Sequence, residues 1–238
     1  MTTADIHDNF VLQDGVKLHY LSSGTSDTHT PLVYVPGFGG DADSFRDEMA
    51  YFYPRRCISV GKRGLGQSSV PQTGYGFADI VNDLTSVINH AISKHILSTP
   101  LCLMAFSRSV PVAISYAYNH IDTLQGLILL DYRAQYSKFS QAWLKKSLEH
   151  GDLPRHYLTT AYEESEDVSL WDVLPAITCP VLIIRGGQSK SLTTDEADQY
   201  MATLPDVDVV VFEDSGHEVY KPDYQRFITT IDTFLAAL

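Results

Sequence analysis

Cysteine is scarce in this 238-residue chain: there are three, Cys57, Cys102 and Cys179. An odd number set in or beside apolar runs excludes a disulfide framework and predicts small core hydrophobes in a reducing compartment. No apolar run approaches the ~18 residues of a membrane span, and the opening MTTADIHDNF has neither a basic nor an apolar signal region. A soluble cytoplasmic protein is expected, with no membrane partner. Basic residues are few: 17 Lys and Arg stand against 29 Asp and Glu, a formal charge of -12. Such a chain repels phosphate backbones, so no nucleic acid partner is expected. The nine histidines are scattered without HExxH or a paired Cys/His spacing, so neither a metal nor another cofactor is implied. Internal repeats and low-complexity runs are also absent.

What is there is apolar material in alternating patterns. Hydrophobic residues make up 44% and charged residues 19%, enough for a sizeable core in one large α/β domain. VKLHYLSSG (16–24) alternates as an antiparallel strand does. PLVYVPG (31–37), RCISVG (56–61), PLCLMAFS (100–107), LQGLILLD (124–131) and PVLIIRGG (180–187) are continuous apolar runs, the pattern of strands buried on both faces. Between them SFRDEMAYFY (44–53), FADIVNDLTSVINHAISKH (77–95), VPVAISYAYNH (110–120) and the closing KPDYQRFITTIDTFLAAL (221–238) carry helical spacing. The order predicts a mostly parallel central sheet flanked by helices. Residues 132–175 break the rhythm with two short amphipathic segments. They read as a helical insertion in a core of 1–131 and 176–238, placed after a strand end where a lid would cover a ligand site.

The strongest local signal for chemistry is MAFSRSVPVAISYA (104–117), a buried strand that turns sharply into a helix with Ser107 at the apex. A nucleophile elbow is usually written G-x-S-x-G, because the strained turn has no room for large side chains two residues either side. Here those places hold Ala105 and Ser109, both small. The turn would expose Ser107 Oγ at the carboxyl edge of the sheet and aim the Arg108 N–H at a developing oxyanion. The Gly-rich turn in VYVPGFGG (33–40) offers the Phe38 N–H as a second donor. Late in the chain VVVFEDSGHEVY (209–220) ends a strand in Ser-Gly-His before the last helix, which places His217 where a general base would follow the nucleophile.

Taken together in order, PGFGG, KRGLGQS (62–68), AFSRS, RGGQS (185–189) and SGH resemble the α/β-hydrolase superfamily along nearly the whole chain, in the manner of its compact members with a short helical insertion. The resemblance implies a serine nucleophile, an acid and a histidine in that order. Two places depart from it: Pro36 stands where most relatives have the histidine of HGxG, and Lys190 stands at the usual acid position, where a lysine cannot orient an imidazole. Asp131, at a strand end on the same carboxyl edge, is the favoured acid. Asp195 is an alternative, although Thr193, Thr194 and Asp195 read as a helix cap and first turn, and a dyad with no acid is the other. Arg108 and Arg133 are candidates to hold a substrate carboxylate or phosphate. Tyr132, Tyr136, Phe139, Trp143, Tyr157 and Trp171 would wall an apolar site or pin the insertion to the core.

The expected activity is hydrolysis of a carboxylic ester, thioester or lactone through an acyl-enzyme, on a small-molecule substrate and by a monomer or homodimer. Lys190 keeps two others open: a non-hydrolytic acyl transfer, cyclisation or lyase reaction on the same scaffold, and a small-molecule receptor or degenerate hydrolase.

Overall fold

The computed structural model describes residues 4–238. An opening hairpin, β1 (Ile6–Gln13) and β2 (Val16–Ser23), precedes the alternating part of the chain. This part runs β3 (Leu32–Val35), α1 (Arg46–Tyr51), β4 (Cys57–Val60), α2 (Phe77–Ser93), β5 (Leu101–Phe106), α3 (Val110–Asn119) and β6 (Leu124–Leu130). The insertion follows as β7 (Gln135–Tyr136), α4 (Gln141–His150), α5 (Arg155–Glu163) and β8 (Val168–Ser169). The chain then closes with β9 (Val181–Gly186), α6 (Thr194–Thr203), β10 (Val207–Phe212) and α7 (Tyr224–Ala237).

One eight-stranded sheet has the order β1-β2-β4-β3-β5-β6-β9-β10. Its first two strands are antiparallel and the remainder parallel, as the continuous apolar runs predict. The period of two shows inside those runs. Leu101, Leu103 and Ala105 of β5 face a core shared with α2 and α3, while Cys102 and Met104 face the opposite core, shared with α1 and α7. Helices therefore cover both faces, and the three free cysteines are all buried. Burial pushes the Cys57 thiol up to about 12, which makes it a core group rather than a thiolate.

The strand β1 is not visible in the periodicity. It is half exposed at the sheet edge, with polar residues on both faces. The local signal for it is the Asp14–Gly15 turn, whose residues have φ of +48° and +81°, as a two-residue hairpin connection requires. The helix expected over 44–53 is shorter: a 3₁₀ turn, Ala42–Phe45, capped by Asp41, leads into α1. In the insertion α4 and α5 pack on each other beside the two-residue ladder of β7 and β8, too short a pairing to carry a period.

Candidate active site

Ser107 leaves the end of β5 with φ of +56°, a left-handed conformation that a side chain makes costly. The elbow holds because its surroundings over-determine it. Ala105 is fully buried beneath it. A Cβ built on Gly37 would lie 3.1 Å from Ser107 Cβ and 2.9 Å from Phe106 Cδ1, so the β3 turn can lie flat on the elbow only as glycine. That contact sets the Gly37–Phe38 peptide beside the nucleophile position. Ser109 fastens the arrangement: its hydroxyl donates to Pro36 O at 2.5 Å.

Asp131 arrives by register. Phe106 at the end of β5 pairs with Leu130 at the end of β6, so the next residues, Ser107 and Asp131, emerge side by side from adjacent parallel strands. Asp131 is fully buried and also has a positive φ, +49°. Its Oδ1 accepts from the Gly186 N–H at 2.9 Å, and its Oδ2 accepts from the Ser189 hydroxyl. Ser189 belongs to the RGGQS loop, so the segment that carries Lys190 contributes a hydroxyl to the carboxylate instead of an acid of its own.

His217 comes from the loop after β10, and that loop must cross the end of β9 to reach β5. Gly186 permits the crossing, because a Cβ there would sit 2.0 Å from Gly216 O. The imidazole then lies between the other two groups, with Nδ1 2.7 Å from Asp131 Oδ2 and Nε2 2.7 Å from Ser107 Oγ. A carboxylate only accepts, so Nδ1–H donates to Asp131 and Nε2 is left to accept the Ser107 proton. Phe106 stacks on the ring at 4.9 Å between centroids and fixes its plane. Asp195 lies in the first turn of α6, behind the Thr193 cap, where Glu196 completes the capping box. Such a chain of donors suits transfer of a proton from a serine hydroxyl during nucleophilic attack.

Beside the elbow is a small, partly open space of about 20 Å³ lined by Phe38, Lys62, Arg108, Tyr136 and Tyr157 among others. Lys62 Nζ donates to Gly37 O at 2.6 Å and to Ser109 Oγ at 3.0 Å. Burial, with the Arg108 cation beside it, lowers its ammonium to about 7. The Arg108 guanidinium lies between the Tyr136 and Phe139 rings, 3.7 and 3.8 Å from their centroids. Trp143 stacks on Phe139 at 3.6 Å, and both meet the edge of Phe38, which also touches Tyr157. Tyr132 and Arg133 turn instead toward α6: the Tyr132 carbonyl accepts from Tyr200, and Arg133 Nη1 pairs with Glu196 at 3.3 Å. Trp171 likewise packs on Tyr200.

The chain order thus brings together Ser107, Asp131 and His217, with Phe38, Arg108, Tyr136 and Trp143 clustered beside them. Sequence reasoning holds Lys62, Phe106, Gly186 and Ser189 only inside the KRGLGQS, AFSRS and RGGQS motifs and Ser109 only as a small elbow residue; it missed the contacts that these residues make. Lys62 stands two residues after the buried strand β4, past Gly61.

No family model matches the chain. An N-formylmaleamate deformylase from Pseudomonas putida is 23% identical over 94% of this chain and 95% of its own. Among solved structures, the esterase from Exiguobacterium antarcticum superposes with a TM-score of 0.78 at 21% identity, covering 97% of this chain and 100% of its own. The E-2-(acetamidomethylene)succinate hydrolase superposes at 0.77 and 16% identity, covering 98% and 100%. The chain has the α/β-hydrolase fold. In this α/β-hydrolase fold the carboxyl edge of the sheet is where loops gather a ligand site, and Ser107, Asp131 and His217 all stand on that edge. Among the described residues no helix is long and apolar enough to cross a membrane.

Proposed function

We propose that the protein is a serine hydrolase that opens a carboxylic ester, thioester or lactone through an acyl-enzyme. Ser107 Oγ attacks the carbonyl carbon as its proton passes to His217 Nε2. The imidazolium so formed is held by Asp131, and the tetrahedral oxyanion is held by the Phe38 and Arg108 N–H groups. His217 then gives the proton to the leaving oxygen or sulfur. A water loses its proton to the same nitrogen, adds to the acyl carbon and frees Ser107 with the acid as product. The helices α4 and α5 act as the lid, with Trp143 of α4 and Phe139 just before that helix covering Phe38.

The observation that carries this reading is the pair of 2.7 Å contacts from His217, one to Ser107 and one to Asp131. Relatives named as a deformylase, an esterase and a succinate-derivative hydrolase support hydrolysis as the reaction. Lys190 is the ground for a receptor or a non-hydrolytic enzyme, and the hydrogen bond from His217 to Asp131 supports turnover instead. A fluorophosphonate probe is expected to label the wild type and not Ser107→Ala. Equal labelling of the two would refute the assignment.

A further inference from the structure

Two cations lie buried next to the elbow without a carboxylate. Lys62 is 8% exposed and Arg108 6%. The two acceptors of Lys62, Gly37 O and Ser109 Oγ, are both neutral. Arg108 Nη1 donates to Ser137 O at 2.6 Å, but its Nε and Nη2 are buried and meet no acceptor among the described residues. Those two nitrogens form one edge of the guanidinium, the side-on fork that fits both oxygens of a carboxylate. The same fork of Arg63 shows it in use: Nε and Nη2 each reach Asp83 at 2.6 Å. The Tyr136 and Phe139 rings hold the Arg108 plane fixed, so its fork is preorganised. Among the described residues no Asp or Glu lines the small space that Lys62 and Arg108 share. Burying a cation and leaving two donors unmet costs several kcal/mol unless an anion joins them.

Resting on the serine reading above, we infer that Lys62 and Arg108 form a subsite for a carboxylate carried on the acyl half of the substrate. The side of the molecule follows from placement. Arg108 and Ser109 directly follow Ser107 in the chain, and both line the space together with Phe38, whose N–H is the proposed oxyanion donor; on that adjacency the acyl half is assigned to this side. His217, which protonates the leaving group, is on the open side, with 36% of its side chain exposed. A space of about 20 Å³ takes a water-sized group or a small oxyanion head rather than a ring. The substrate class is therefore the half-ester or half-thioester of a short dicarboxylic acid. Hydrolysis consumes one water and releases the dicarboxylate and an alcohol or thiol.

The test compares monoethyl succinate with ethyl butyrate, a neutral ester of similar length, on the wild-type protein. A preference in kcat/KM of about tenfold or more for monoethyl succinate is expected, and it should shrink several-fold in Lys62→Met and in Lys62→Gln. Equal or lower kcat/KM for monoethyl succinate overturns the subsite. Calorimetry with succinate on Ser107→Ala reads the same site without turnover: binding that is lost in Ser107→Ala/Lys62→Met supports the inference, and absence of binding to Ser107→Ala overturns it. Fluorophosphonate labelling separates the two claims. A labelled protein that ignores the carboxylate keeps the serine reading and loses the subsite, whereas an unlabelled protein that binds succinate does the reverse.

Discussion

Arg63 and Arg108 are equally buried, at 6% exposure each, yet they meet the interior in opposite ways. Around Arg63 the fold is self-sufficient: its fork holds Asp83, and Nη1 donates to Gly74 O. Around Arg108 the matching fork has no acceptor among the described residues, and the neighbouring Lys62 adds a second cation whose acceptors are neutral. Burial pushes Asp83 toward the neutral form while Arg63 draws it toward the charged one, so the first region settles its own electrostatics. The second depends on what binds there. In this molecule the closed charge pair belongs to the scaffold, and the two cations without an anion lie beside Ser107.

The same substitution beside His217 and beside Arg63 sharpens the contrast. Asp131→Asn turns an amide toward His217 Nδ1 and favours the wrong tautomer, so kcat for an ester substrate is expected to fall about 10⁴-fold. Its effect on stability should be small, about 1 kcal/mol, because an amide oxygen can still accept from Gly186. Asp83→Asn should do the reverse. It leaves the Arg63 charge buried without its partner, at a cost of about 3–5 kcal/mol, read as a lowered urea midpoint. Comparable stability losses in the two variants would erase the distinction between scaffold and site.

Lys62 provides a smaller and pH-dependent effect. Its pKa falls from an ordinary 10.5 to about 7, through burial first and Arg108 second. Between those values the unfolded chain binds the proton that the native protein has lost, so this group makes stability rise with pH across that window. Below about 7 the full cost of a buried ammonium is present. The Tyr75, Tyr136 and Tyr157 phenols around the same space are pushed up by burial and stay neutral throughout. Lys62→Met is therefore expected to be more stable than wild type by about 1 kcal/mol at pH 6, the lost contacts to Gly37 and Ser109 offsetting part of the gain. The difference should shrink or reverse by pH 10, a trend that urea titrations at the two pH values would detect. A constant difference would mean that Lys62 is not the titrating group.

How far the sequence reveals this site depends on whether a role is local. Ser107, Asp131 and His217 each end a strand or follow one, and parallel strands bring their carboxyl ends to one edge, so order along the chain suffices to place them. Ser109 and Lys62 are 47 residues apart, and Ser189 and Asp131 are 58 apart. Neither pairing has any periodicity to betray it. The insertion aromatics divide in a way that composition hides: Phe139 and Trp143 cover Phe38, while Trp171 packs on Tyr200 of α6, whose hydroxyl also donates to the Tyr132 backbone carbonyl. β1 escapes notice for a third reason, since a half-exposed edge strand need not alternate cleanly. Asp131 is favoured over Asp195 already as a strand-end carboxylate, and the β5–β6 register sets it beside Ser107.

The smallest expected effect concerns the elbow itself. At an ordinary buried position glycine is less stable than alanine by about 0.5–1 kcal/mol, because the unfolded chain gains freedom. At φ of +56° the order should invert, since alanine keeps the Cβ that strains the left-handed turn and glycine removes it. Ser107→Gly is thus expected to exceed Ser107→Ala in stability by about 0.5–1 kcal/mol, with both inactive, in paired denaturation curves. In the Asp83 region the positive φ values fall on glycines, Gly64 at +79° and Gly74 at +90°, and not on Arg63 or Asp83, so no side chain is strained there. If alanine proved the more stable, the elbow would be relaxed, and backbone strain would drop out of the difference between the reacting region and the scaffold.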